Sequence, residues 1–120
     1  LEGHSGPYLQ YAHARARSIL HKAGSPADYA QPTELEPDER SLMRKISAYA
    51  EMVDKAVAEL MPHHVCTYLY ELAQLFNRFY EHNRVIGDKR QDARLLLVKH
   101  YAETLSNGLE LLGIAAPEQM

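Results

Sequence analysis

Residues 65–80 read VCTYLYELAQLFNRFY, and within them Val65, Leu69, Leu72, Phe76 and Phe79 recur at steps of 4, 3, 4 and 3. An α-helix turns by about 100° per residue, so this spacing gathers five large apolar side chains on one face. The same rhythm returns on both sides. Met43, Ile46, Ala50, Val53, Val57 and Leu60 trace one stripe along residues 38–60, and Leu95, Val98, Ala102, Leu105, Leu109 and Leu112 trace another. Apolar helix faces leave water by packing on one another, so the three stripes are read as bundle core rather than as a cofactor box. No segment alternates apolar and polar residues between strand-like turns. The expected fold is all-α, a bundle of four to five helices.

Breakers set the boundaries. Pro7 suits the first turn of a helix running to about Lys22, where a proline loses no helical hydrogen bond. Gly24, Ser25, Pro26 and Pro32 mark a linker over residues 23–35. Thr33 and Glu36 form a possible capping box, but a start near Glu36, with Pro37 in the first turn, is preferred. Pro62 fits another first turn, Gly87 and Asp88 separate the last two helices with Asp88 as cap, and Gly108, Gly113 and Pro117 punctuate the C-terminal end. The 120 residues are therefore expected to be one domain: residues 1–22 as first helix with its preceding loop, and residues 36–120 as the rest of the bundle.

The composition is that of an ordinary globular chain, 46% hydrophobic and 24% charged, and no apolar run approaches the length of a membrane span. Cys66 is the single cysteine, and the N-terminus lacks the pattern of a signal peptide, so a reducing, cytoplasmic setting is expected. The net charge of −3 speaks against a strongly basic nucleic-acid binder. The charge is uneven, however. Residues 1–22 carry Arg15, Arg17 and Lys22 against Glu2, residues 78–99 carry six Lys and Arg against three acids, and the acid lies between them, from Glu34 to Glu59.

Signatures of chemistry are few. The chain has no glycine-rich phosphate loop, no Cys-x-x-Cys, no His-Glu-x-x-His and no G-x-S-x-G, so no catalytic residue is assigned. His63 and Cys66 share a helix face beside His64, but zinc needs three or four ligands, and no metal site is expected. The first segment is more informative. Leu9, Ala12, Ala16, Ile19 and Leu20 form its packing side, while Tyr8, Tyr11 and Arg15 fall at i, i+3 and i+7 on a neighbouring side. Two phenol rings and a guanidinium can stack on unpaired bases and grip a phosphate or a base edge. The spacing alone favours tyrosines that close the edge of the core and an Arg15 in a surface ion pair.

Longer motifs narrow this. Residues 2–15, EGHSGPYLQYAHAR, closely resemble the segment that follows the catalytic domain in arginyl-tRNA synthetases. Further matches follow in order: Pro62-His63, Tyr68-Leu69-Tyr70-Glu71-Leu72-Ala73, Phe76-Asn77-Arg78-Phe79-Tyr80, Asp92-Ala93-Arg94-Leu95, and residues 107–114 leading to Ala116-Pro117-Glu118-Gln119-Met120. The chain resembles the anticodon-binding domain named for an Asp-Ala-Leu-Arg motif, of which Asp92, Ala93 and Arg94 are present without the leucine. The likeness covers residues 1–22 and about 33–120. The chain departs from the family pattern at His4, where asparagine or aspartate is usual, and at Gln119, where arginine is usual.

The resemblance implies a helical bundle that binds the tRNA(Arg) anticodon stem-loop, as a monomer, in cis with a catalytic domain outside these residues. That domain would use ATP and Mg to attach arginine, and this part alone would be catalytically inactive and need no cofactor. The family's contacts would fall on a loop formed by Gly3, His4, Ser5 and Gly6, on Tyr8, Tyr11 and Arg15, and on Tyr80 and Met120. All arginine anticodons share a middle C while the neighbouring bases vary, so one base must be read firmly beside sequence-tolerant stacking. The competing reading is a helical protein-interaction or oligomerisation bundle without RNA binding, which the low net charge favours.

Overall fold

A computed structural model describes residues 5–24 and 32–120, which form α1 (Ser5–Lys22), α2 (Pro37–Ser47), α3 (Tyr49–Glu59), α4 (His63–His82) and α5 (Gln91–Leu111). Most of the expected linker, residues 25–31, lies outside the described residues, as do Leu1, Glu2, Gly3 and His4. Among the described residues no helix is long and apolar enough to cross a membrane.

The stripe on α4 is buried throughout, and α5 buries Leu95, Val98, Ala102, Leu105 and Leu109 against it. α1 runs along α5 and adds Leu9, Ala16, Ile19 and Leu20 to the same core. α4 and α5 approach closely at Gly108. A Cβ there would lie 2.6 Å from Leu69 Cδ1, so α4 and α5 meet where α5 has no side chain. Gly108 is thus an interior packing residue rather than a helix end. The end comes at Gly113, whose φ of +74° lets Ile114 N–H reach the Leu109 carbonyl (2.8 Å) and Gly113 N–H reach that of Glu110 (3.0 Å).

The stripe along residues 38–60 divides. Tyr68, buried on α4, donates its hydroxyl to the carbonyls of Lys45 and Ile46, which the next N–H groups of a continuous helix would have used. The chain turns at Ala48 and restarts as α3. Beyond the break α3 packs on the core through Tyr49, Met52 and Ala56, which lie off the stripe, and Val57 and Leu60 are exposed, Leu60 by 86%.

A buried ionic knot joins α2 to α5. Glu39 has no exposed surface. Its Oε2 accepts from Arg90 Nε (2.7 Å) and Arg94 Nε (2.8 Å), and its Oε1 accepts from the backbone N–H of Glu36 (2.9 Å). Arg94 also donates to the Arg84 carbonyl (2.7 Å) and Glu36 Oε1 (2.8 Å). The arginine of the Asp92-Ala93-Arg94 motif therefore holds the fold together and is not available to a ligand. Asp88 caps the turn before α5, accepting from Arg90 N–H through Oδ2, rather than the helix itself, whose N-cap is Arg90.

Candidate nucleic-acid interface

α1 presents two adjacent polar rows. Gln10, His13 and Arg17, spaced by 3 and 4, clamp the segment that follows α5. Gln10 Nε2 donates to the Ala115 carbonyl (3.0 Å), His13 Nδ1 to that of Pro117 (2.7 Å), and Arg17 Nε to Glu118 Oε1 (3.2 Å). These bonds lay the C-terminal residues along α1. As a result Gln119 and Met120 stand beside the second row, and together with Tyr11, Ala14, Arg15 and Ser18 they line an open cleft of about 400 Å³. That volume lies in the range of small-ligand sites.

Tyr11 and Met120 are the large exposed groups of this cleft, 63% and 69% accessible. Neither is held in the core, so the Tyr11 ring can be offered to a partner. Arg15 is engaged from two sides. Its guanidinium lies 5.0 Å from the centre of the Tyr80 ring, over its face, and its Nη1 donates to Asn77 Oδ1 (3.2 Å). Tyr80 in turn packs in near-parallel fashion on Phe76, with ring centres 5.9 Å apart, and Phe76 stacks on the buried Tyr101 at 4.0 Å. A ladder of three rings thus runs from the core to Arg15. Burial raises the Tyr101 phenol far above its ordinary range and keeps it neutral.

The expected contact residues are not all in one place. Tyr11, Arg15 and Met120 line the cleft, and Tyr80 supports it through Arg15. Tyr8 turns toward α4, its ring 5.0 Å from that of Tyr70 and its hydroxyl accepting from Asn77 Nδ2 (3.3 Å). Ser5 and Gly6, expected in a loop, form the first turn of α1, where a Cβ on Gly6 would meet Ile114 Cδ1 at 3.7 Å. Gly3 and His4 lie outside the described residues. The sequence reading missed Asn77 and the clamp of Gln10, His13 and Arg17. The 3 and 4 spacing of the clamp was a visible signal, but its partners lie more than 100 residues away.

Cys66 is buried in the core, where loss of water raises its thiol pKa, and His64 pairs with Glu59 (3.1 Å). Among the described residues no three of His, Cys, Asp or Glu come together as a metal site.

The profile of the DALR anticodon binding domain matches residues 9–120. The chain belongs to the DALR anticodon-binding domain family. Arginine–tRNA ligase of Ligilactobacillus salivarius is 44% identical over 121 residues, covering 99% of this chain and 22% of the ligase. That of Thermobifida fusca is 46% identical over 125 residues, covering all of this chain and again 22% of the ligase. The solved arginyl-tRNA synthetase of Thermus thermophilus superposes with a TM-score of 0.88 at 40% identity, over 99% of this chain and 22% of that one. This DALR domain therefore spans about a fifth of the length of the curated relatives it matches.

Proposed function

We propose that this chain is the anticodon-binding part of an arginine–tRNA ligase, which docks the tRNA(Arg) anticodon loop in the α1 cleft while a separate catalytic region attaches arginine using ATP and Mg. The observation that carries the reading is the meeting of Tyr11, Arg15 and Met120 in one cleft. Tyr11 and Met120 supply apolar and aromatic surface for unstacked bases, a contact that tolerates the variable anticodon positions. Arg15 supplies directional N–H donors, as reading a single base requires. Family membership and the similarity to named arginine–tRNA ligases support the choice of ligand over the interaction-bundle alternative.

Titration with an arginine anticodon stem-loop tests this. Tyr11→Ala removes a stacking platform worth roughly 1–3 kcal/mol, so affinity falls about tenfold or more with little change in melting temperature. Leu72→Ala is the contrast: it empties a fully buried site on α4 and costs about 2–5 kcal/mol of stability. Unaltered affinity in both Tyr11→Ala and Arg15→Ala would remove the cleft from the binding surface.

A further inference from the structure

Guanidinium groups only donate hydrogen bonds, whereas a phenol oxygen also accepts. That asymmetry fixes the orientation of the Asn77 side chain. Its carbonyl oxygen must face Arg15 and its amino group must face Tyr8, the arrangement observed at 3.2 Å and 3.3 Å. Asn77 is half-buried on α4, between the Tyr80 ladder and α1, and does not line the cleft. It takes one N–H of Arg15 while the Tyr80 ring takes the guanidinium face. A planar cation held at one edge and one face cannot rotate freely, so its remaining N–H donors point in a defined direction.

We propose that Asn77 is a positioning residue for base recognition: its amide, bridging the Tyr8 hydroxyl and the Arg15 guanidinium, sets the direction in which Arg15 offers its free donors to a base edge. This rests on the reading of the cleft as an anticodon site. An arginine that swings through many rotamers contacts any acceptor in reach, including phosphates. One held by Asn77 and Tyr80 favours an acceptor placed at a fixed position, and selectivity follows from the fixed geometry.

Two readouts test the proposal on the 120-residue chain. The first needs no RNA. With the Arg15 guanidinium over the Tyr80 ring, its Hε should carry a ring-current shift in the NMR spectrum, which Asn77→Ala should move to the free-arginine value. Asn77→Asp should preserve it, since a carboxylate still accepts from Arg15 and from the Tyr8 hydroxyl. The second is affinity for arginine anticodon stem-loops in which each anticodon base is replaced in turn. Asn77→Ala should reduce discrimination about tenfold at one position, with melting temperature close to that of the parent chain, and in an Arg15→Ala background it should change affinity less than about twofold.

An unchanged Hε shift in Asn77→Ala overturns the proposal. So does an equal loss of discrimination with and without Arg15, which would make Asn77 act on its own. Should the parent chain bind an arginine stem-loop no better than a scrambled one, the anticodon reading itself fails and recognition by Arg15 falls with it. The Hε comparison then reports only whether Asn77 orients the side chain.

Discussion

Glu39 is an acid with no access to water, and its carboxyl survives there because donors surround it. Burial on its own would raise its pKa. Hydrogen bonds from Arg90, Arg94 and the Glu36 backbone N–H outweigh that and hold it at about 2 against an ordinary 4.5. Between those values the unfolded chain binds a proton that the folded chain does not. The stability due to Glu39 is therefore fully present above ~pH 5 and is lost as the pH falls toward 2. Glu39→Gln should flatten the dependence of melting temperature on pH in that window. Because Glu39→Ala takes the shared acceptor from the buried Arg94 guanidinium and from the half-buried Arg90 beside it, it should cost about 3–5 kcal/mol near neutral pH, chiefly through Arg94, read by denaturant titration. None of this was legible in the sequence. An acidic residue in the first turn of a helix usually serves the helix dipole in water, and its partners here lie 51 and 55 residues away.

At the level of elements, periodicity identified the helices because it is a local property, and it failed where another element intervened. The stripes on α4 and α5 are buried as their spacing requires. The stripe along residues 38–60 has the same spacing, yet its helix is interrupted where the Lys45 and Ile46 carbonyls accept from the Tyr68 hydroxyl, and beyond that point α3 packs through Tyr49, Met52 and Ala56, leaving Val57 and Leu60 of the stripe exposed. α3 then ends on Leu60, a left-handed residue (φ 54°) with an exposed side chain. A leucine in that conformation is strained by roughly 1–2 kcal/mol relative to glycine. Leu60→Gly should raise stability by about 0.5–1 kcal/mol, since little packing is lost, and a lower melting temperature would contradict this. Gly108→Ala should go the other way. Alanine gains up to about 1 kcal/mol of helix propensity, but its Cβ meets the fully buried Leu69 at 2.6 Å, and overpacking a core costs about 1–3 kcal/mol. The expected net loss shrinks in a Leu69→Ala background, which chemical denaturation of the two single variants and the double variant would measure.

For the whole molecule, the decisive quantity is how many cations remain free after the fold has used its share. Residues 78–99 look basic in sequence, but Arg90 and Arg94 are bound to Glu39 and Glu36, and Arg94 lies 3.6 Å from Asp88. Arg17 is tied to Glu118 in the clamp, and Lys45 to Glu71. Arg15, by contrast, is bonded to a neutral amide and not to a carboxylate. On α1 and α4, which carry the cleft and its supports, Arg15, Lys22 and Arg78 have no carboxylate partner among the described residues. A surface with so few free cations gains affinity from stacking and directional donors more than from counterion release. Each phosphate neutralised on a single strand adds about 0.7 to the log–log salt slope, so one to three contacts give a slope of roughly 1–2 in magnitude. Raising salt from about 50 to about 200 mM should then weaken stem-loop binding about 4- to 16-fold, far less than the roughly 10³-fold or greater loss of proteins that grip many phosphates. Fluorescence titration at several salt concentrations gives the slope directly. A magnitude near 5 or more would mean that the loop is held by its backbone on a surface other than the α1 cleft.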